Sequence, residues 1–146
     1  MAEAIATFTV RWEGDKVNAK TRYATRWGID STMADCVVTS KSMVPVRTSI
    51  LQGSIQMRPS VDNGDNITGY WGSFDVKYAQ WVEFGTGPHV ILPRTKKALF
   101  WPGADHPVRM VNHPGTRARP YLIPAQQQHC PSLGDRIRAQ IAWGEK

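Results

Sequence analysis

The sequence predicts an α+β fold, in which a small, mostly antiparallel sheet is packed by a long helix from the first half and by a terminal helix. Several short segments alternate apolar and polar residues, and two longer segments show helical spacing. The predicted order is strand, long helix, hairpin, short helix, loop, strand, helix, which is typical of helices outside an antiparallel sheet. The 146 residues suit one domain.

The first strand is predicted over residues 6–12, where aromatic and β-branched residues alternate with polar ones. A turn follows, in which Asp15 is positioned to cap a helix from residue 16 to about 42. One long helix is predicted, with a break near Gly28 as the alternative, and Pro45 ends it. Five residues define its predicted apolar stripe: Tyr23, Trp27, Ala34, Val37 and Val38.

The middle of the chain predicts a hairpin. Residues 49–55 fit either a short helix or the start of a strand, and residues 55–61 then predict a strand with Pro59 at an edge or bulge. Asn63 and Gly64 favour a tight turn with positive φ at both positions. The returning strand is predicted over residues 67–76.

The second half predicts shorter elements. A helix over residues 78–84 stops at a Gly-Thr-Gly run, and residues 86–106 form a basic loop with three prolines. A strand follows at 108–111, then a turn-rich connector at 113–120 and a helix from about 124. Ser132 and Asp135 resemble a capping box, and an apolar stripe for docking on the sheet is predicted from Leu133, Ile137 and Ile141.

Charge is distributed unevenly. Eighteen basic and twelve acidic residues give a net charge of +6, and the whole excess falls in residues 76–146. Such asymmetry indicates contact with nucleic acid or an acidic partner, or ordinary solvated charge. No apolar run approaches the roughly 20 residues of a membrane span, so no membrane partner is predicted. Cys36 and Cys130 are predicted as free thiols, although one disulfide is possible.

No motif for catalysis, cofactor binding or metal binding stands out. The phosphate-binding, dinucleotide-binding and nucleophile-elbow patterns are absent from the sequence. The spacing of the four histidines, His89, His106, His113 and His129, is atypical of zinc ligands. We therefore predict no catalytic residue, no cofactor and no metal.

Glu83 is the one unusual carboxylate, because Trp81, Val82 and Phe84 surround it. A carboxylate in apolar surroundings needs a partner, and an arginine or a set of backbone N–H groups is the favoured prediction. A small hydrolase that uses Glu83 with a histidine is the alternative. Trp101 lies in the basic loop between Phe100 and Pro102, and we predict that it packs against a neighbouring chain.

Three segments carry a family resemblance: Tyr78-Ala-Gln-Trp-Val-Glu-Phe-Gly-Thr-Gly87, Ile91-Leu-Pro-Arg-Thr-Lys-Lys-Ala-Leu-Phe-Trp101 and Val111-Asn-His-Pro-Gly-Thr-Arg-Ala-Arg-Pro-Tyr-Leu-Ile-Pro-Ala125. In this order and spacing they resemble the neck or tail-completion family of long-tailed bacteriophages. The segment 45–55 also resembles an element of that family. Ser49 and Tyr121 stand where the family usually has Gly and Phe, and Cys130-Pro131 predicts a kink or a late start in the terminal helix.

The resemblance implies a structural virion protein at the head–tail junction, made in the cytoplasm of the bacterial host. It implies a homo-oligomeric ring, without catalysis, around the conduit for double-stranded DNA, contacting head-connector and tail proteins. DNA would be contacted without sequence specificity. A tail terminator that caps the tail tube is the alternative within this class, and a basic nucleic-acid-binding module is an alternative outside it.

Two sets of residues follow as candidates. The long basic loop over residues 86–119 is expected to reach a neighbouring subunit or an adjoining ring, because loops of that length are usually functional. Its subunit-interface or DNA-facing candidates are Arg94, Lys96, Lys97, Trp101, Arg117 and Arg119. The residues expected to form the structural motif are Tyr78, Glu83, Phe84, Gly85, His113, Pro114, Gly115, Arg119 and Pro120.

Overall fold

Three antiparallel strands form the main sheet of this computed structural model, which describes residues 4–11, 19–47 and 49–143. The strands are β1 (Ala4–Arg11), β2 (Ile55–Asp62) and β3 (Asn66–Ser73), in the order β1-β3-β2. Helices pack against this sheet, so the predicted α+β class is confirmed. The predictions for Trp12, Asp15 and the start of the long helix at residue 16 lie outside the described residues.

One face of the sheet is buried and the other meets solvent. Phe8 of β1 pairs with Gly69 of β3, and both are buried. Trp71, two residues further along β3, is fully buried as well, whereas Tyr70 between them is exposed. An antiparallel sheet with a single covered face produces this alternation.

The helix α1 (Ala19–Met43) covers β2 and β3 on the buried face and contacts the terminal helices. It runs without interruption through Gly28, so the prediction of one long helix is confirmed and the alternative of a break there is not. A Cβ atom at Gly28 would lie 2.6 Å from Cγ1 of Ile137, so the glycine permits close approach of the terminal helix.

The predicted apolar stripe of α1 is wrong except at Val37, which is partly buried against the core. Tyr23 is 62% exposed and Val38 is 69% exposed. The buried face instead consists mainly of small and hydroxyl residues around two large apolar ones: Ala24, Thr25, Gly28, Ile29, Thr32, Met33, Cys36 and Ser40. The hydroxyl of Thr25 donates to the carbonyl of Thr21 at 2.9 Å, and that of Thr32 donates to Gly28 at 2.8 Å. These bonds satisfy the hydroxyls locally and permit their burial.

An ion pair joins α1 to the end of β2. Arg22 Nε donates to Asp62 Oδ2 at 2.8 Å, and Arg22 Nη2 contacts the other carboxylate oxygen. The hydrogen bond from Arg22 is the main reason that the pKa of Asp62 lies below its usual value.

The hairpin follows the prediction with two refinements. The helix α2 (Ile50–Ser54) precedes β2, which resolves the ambiguity of this segment. The register of β2 shifts between Arg58 and Val61, so Pro59 marks a bulge on an edge strand as expected. At the turn, Gly64 has a φ of 97°, whereas Asn63 does not adopt positive φ.

The chain ends in two helices separated by a kink. The helix α4 (Leu122–His129) passes through a 3-10 turn at Cys130–Ser132 into the helix α5 (Leu133–Trp143), as the Cys-Pro pair predicted. Ser132 Oγ donates to the carbonyl of His129 at 2.8 Å, so the expected capping box is replaced by this bond. The helix α5 packs against α1, which corrects the predicted docking on the sheet.

The predicted basic loop contains a second, two-stranded sheet. Its strands are β4 (His89–Ile91) and β5 (Val111–His113), and bridges pair Thr86 with Thr116 and Leu99 with Val108. The predicted strand at 108–111 is therefore shifted to 111–113. The predicted short helix is confirmed as α3 (Ala79–Phe84).

A buried hydrogen bond joins the sheet to α4. The Tyr121 hydroxyl lies 2.7 Å from Ser73 Oγ, and both residues are fully buried. Burial is the main cause of the raised pKa of Tyr121.

We expect Tyr121→Phe to lower the free energy of unfolding by about 1–3 kcal/mol, because Ser73 Oγ then loses its partner in the core. Urea unfolding measures the change. The double variant Tyr121→Phe with Ser73→Ala removes both polar groups and is expected to recover part of that loss. The wild-type chain, the two single variants and the double variant form a double-mutant cycle. A coupling energy of zero between positions 121 and 73 would contradict this interpretation of the contact.

Candidate functional site

Glu83 is buried at the junction between α3 and α4, with 2% of its surface exposed. Its Oε2 atom accepts hydrogen bonds from the backbone N–H groups of Tyr121 at 2.8 Å and Leu122 at 3.0 Å. Its Oε1 atom accepts from the N–H of Ile123 at 2.9 Å. The predicted need for a partner is thus met by backbone N–H groups.

This carboxylate caps α4 from a distant part of the chain. The first N–H groups of a helix have no partner within it, and the positive end of the helix dipole favours a negative charge. Tyr121, at the N-cap position, makes no side-chain cap bond, so Glu83 takes that role. The contact fixes the two segments that flank the basic loop.

Two glycines allow the flanking segments to cross closely. A Cβ atom at Gly85 would lie 2.5 Å from the carbonyl oxygen of Thr116, and one at Gly115 would lie 2.2 Å from that of Thr86. Their φ values are 71° and 93°. Backbone bonds of 2.9 and 3.0 Å between Thr86 and Thr116 close the crossing. We call the segment that leaves this crossing, residues 85–120, the ribbon arm.

The last residues of the ribbon arm, where the chain comes back to its base, are also hydrogen-bonded to α3. The N–H of Arg119 donates to the carbonyl of Val82 at 2.8 Å, while the residue as a whole is exposed. Pro120 then leads into the segment capped by Glu83. The motif residues Glu83, Gly85, Gly115 and Arg119 are therefore brought together, and they hold the base of the ribbon arm.

His89 and His113 are directly opposite on β4 and β5, with ring centroids 5.0 Å apart. His89 Nδ1 donates to the carbonyl of Gly87 at 3.0 Å, whereas His113 Nδ1 accepts from the N–H of Gly115 at 3.0 Å. The turn through Pro114 makes the second bond possible. These bonds give the histidines a role in shaping the turn, and no group of three metal-ligating side chains occurs among the described residues.

The ribbon arm carries most of the excess charge. It contains six basic residues and one acidic residue, Asp105, which gives a net charge of +5. None of the six forms an ion pair within the described ranges, whereas Arg22, Arg136 and Arg138 of the body do. All six are exposed: Arg94, Lys96, Lys97, Arg109, Arg117 and Arg119.

The same arm exposes large apolar side chains. Phe100 is 67% exposed and Trp101 is 46% exposed, near the bridge between Leu99 and Val108. Val90, Leu92 and Met110 are exposed as well. Monomeric proteins rarely leave so much apolar surface on one element without a partner. Trp101 lies outside the core, and its packing against a neighbouring chain stays a prediction.

A groove at the base of the ribbon arm is lined mainly by apolar residues, and its polar members are Arg47, Ser49 and Gln52. We call it the base groove; it is lined by Pro45, Ile50, Leu51, Tyr78 and Val82 and has a volume of about 480 Å³. A second cavity, of about 320 Å³, shares three of these residues and extends the groove past Trp81 to Arg117 and Arg119. The base groove had no signal in the sequence, because its lining comes from two separate segments, residues 45–52 and 78–82.

The predicted candidates fall into two clusters. Arg94, Lys96, Lys97 and Trp101 lie along the ribbon arm beyond β4, whereas Arg117 and Arg119 lie at its base beside the groove. Tyr78 lines the groove and Phe84 is exposed nearby on α3. The sequence did not single out Pro45 or Ile50 as members of any site.

The two cysteines carry no disulfide. Cys36 is buried, and Cys130 is partly buried. Burial raises the pKa of the Cys36 thiol to about 12 and also raises that of Cys130. Free thiols, the favoured prediction, are confirmed. Cys36 packs against α4, where its Sγ atom lies 3.7 Å from the carbonyl oxygen of Ala125.

Comparison with known proteins identifies no relative. No protein-family model, no curated protein and no solved structure matches the chain. Within the described residues, no helix has the length and apolar character needed to cross a membrane.

Proposed function

We propose that this chain is a structural virion protein of a long-tailed bacteriophage, located at the head–tail junction. Copies form a ring around the DNA conduit and join the head connector to the tail. The observation that carries the proposal is the ribbon arm, which exposes Phe100 and Trp101 on a chain that also offers the apolar base groove. The protein is made in the cytoplasm of the bacterial host and acts without catalysis.

The arm and the groove favour a ring because they are different surfaces. When one surface of a copy binds a different surface of the next, the contact is heterologous, and a suitable rotation closes it into a ring. In the proposed ring, Phe100 and Trp101 of one copy fill the base groove of its neighbour. Aromatic anchors in a pocket are typical of the residues that dominate interface energies.

The family resemblance supports the same assignment. Its first segment, residues 78–87, forms α3 and the start of the ribbon arm. Its third segment, residues 111–125, forms β5, the return crossing and the capped start of α4. The motif residues thus form the base from which the arm projects.

The exposed positive charge of the ribbon arm fits the proposed DNA partner. Basic side chains that meet phosphates attract DNA without reading its sequence. The remaining surface of the ring would meet head-connector and tail proteins.

Electron microscopy of lysates from a phage that lacks this gene tests the proposal, with complementation as the control. We expect filled heads beside unattached tails of normal length. Tails of uncontrolled length would instead assign the protein as a tail terminator. Intact, infectious particles would contradict both structural roles.

A nucleic-acid-binding module is the second candidate, and the unpaired +5 charge of the ribbon arm favours it. If the isolated chain acts in this way, its affinity for duplex DNA falls steeply with salt. Replacing Arg94, Lys96 and Lys97 by alanine would then reduce the slope of log affinity against log salt by about 3. Weak binding by the isolated chain, with an unchanged slope in the variant, would contradict this candidate.

A further inference from the structure

Asp105 is the only acidic residue of the ribbon arm. Its side chain is exposed and forms no ion pair within the described ranges. It lies in the loop closed by the bridge between Leu99 and Val108, at the opposite end of the arm from its base. Every other charged residue of the arm is basic. Asp105 is therefore the one point at which the arm can attract a positively charged surface.

The second cavity beside the base groove contains two arginines without acidic partners. Arg117 and Arg119 line it together with Trp81, and both are exposed. In the described part of the chain, no acidic residue lines this cavity or the base groove. The nearby Glu83 is buried, and its oxygens are bonded to the backbone of α4. The cavity thus suits a carboxylate, which a guanidinium group can hold through two parallel hydrogen bonds.

We propose that Asp105 of one copy pairs with Arg117 and Arg119 of the next, in the cavity beside the base groove. The inference rests on the proposed function, because it starts from the contact in which Phe100 and Trp101 fill the neighbour's groove. It assigns the two arginines to the subunit interface rather than to DNA. The other four basic residues of the arm stay available for phosphates.

Asp105 follows Trp101 closely enough to reach the second cavity when Trp101 occupies the base groove. The N–H of Ala104 donates to the carbonyl of Trp101 at 3.0 Å, and Gly103 has a φ of 95°, so residues 101–104 form a tight turn. The ends of such a turn lie within about 7 Å, which puts the Cα atom of Asp105 within about 11 Å of that of Trp101. The groove and the cavity adjoin, because three residues line both.

Charge also sets the direction in which the arm lies across the groove. The basic residues Arg94, Lys96 and Lys97 precede the two aromatic residues, whereas Asp105 follows them. In the proposed direction, the carboxylate meets the two arginines of the cavity. In the reverse direction, lysines would meet them, and like charges in contact across an interface are costly. The single acidic residue therefore selects one orientation of the arm.

Charge reversal tests the contact in phage that lack the gene, with the titre of infectious particles as the readout. We expect Asp105→Arg to lower the titre at least about tenfold relative to the wild-type gene. The double variant Arg117→Glu with Arg119→Glu is expected to lower it similarly. The triple variant restores opposite charges and is expected to recover most of the titre. Thermal unfolding confirms that each variant remains folded.

The matched control is Asp65→Arg, which reverses a charge at an exposed position of the turn between β2 and β3 and should leave the titre unchanged. An Asp105→Arg variant with the titre of this control overturns the inference. So does a triple variant as defective as the arginine double variant, which would assign Arg117 and Arg119 to DNA instead. The proposed function fails separately: infectious particles formed without the gene would contradict it, whatever the charge at position 105, and would overturn the inference as well.

Discussion

Replacement of Glu83 by glutamine is expected to lower the free energy of unfolding by about 3 kcal/mol. Glutamine keeps one acceptor oxygen, but its NH₂ group then faces backbone N–H donors at the start of α4. The three N–H groups bonded by Glu83 lie at 2.8–3.0 Å and have no alternative partner among the described residues. For a chain of this size, such a loss lowers the melting temperature by about 6–12 °C.

Urea unfolding of Glu83→Gln measures this effect, and Asp105→Asn on the exposed arm is the matched control. The control removes the same charge from a residue that makes no bond within the described ranges, so its stability should change by less than about 0.5 kcal/mol. A Glu83→Gln chain as stable as wild type would contradict the capping role. If that stable chain also lost a hydrolytic activity of the wild type, the alternative of a small hydrolase would be favoured instead.

Replacement of Phe100 and Trp101 by serine is expected to abolish assembly while leaving the subunit folded. Phe100 is 67% exposed and Trp101 is 46% exposed, and neither belongs to the core cluster, so their loss should leave the subunit folded. At an interface, each aromatic anchor contributes about 2 kcal/mol or more, and a ring repeats the contact at every subunit. We therefore expect the variant to fail in complementation of the gene deletion.

The matched control is the double variant Tyr23→Ser with Val38→Ser. These residues of α1 are as exposed as the arm residues, but they lie outside the arm and the base groove. We expect full complementation from this control. Full complementation by the Phe100 and Trp101 variant would show that the ribbon arm is dispensable for assembly.

Local patterns predicted most of the elements. The period-two alternation of β1 and the Asn-Gly turn identify the strands of the main sheet, because each signal lies within a few residues. The face of α1 was missed for a physical reason. Its buried surface uses Thr25, Thr32 and Ser40, whose hydroxyls are satisfied by carbonyl oxygens, so hydrophobicity alone indicates the wrong side.

The candidate site depends on contacts between distant residues. The sequence indicated that Glu83 needs a partner, but the start of α4 lies almost forty residues away along the chain. The strands of the ribbon arm are three residues long. A strand of that length is too short to show the alternation of apolar and polar residues that identifies a strand, and the nearby prolines indicate a loop instead. The base groove combines residues 45–52, which lead into α2 and form its start, with Tyr78 and Val82 at α3, and only the fold brings them together.

Crosslinking between the ribbon arm and the base groove tests the central claim most directly. Cysteines replace Phe100 and Ile50 in a Cys130→Ser background, in which the remaining Cys36 is buried and its thiol stays protonated. Particles purified after complementation are treated with a short thiol crosslinker. The pair Phe100→Cys and Val38→Cys is the control.

We expect the Phe100 and Ile50 pair to give a ladder of covalent multimers that ends at the copy number of the ring, and the control pair to give none. Infectious particles that contain the Phe100 and Ile50 cysteines but form no covalent multimers would contradict the joining of copies through arm and groove.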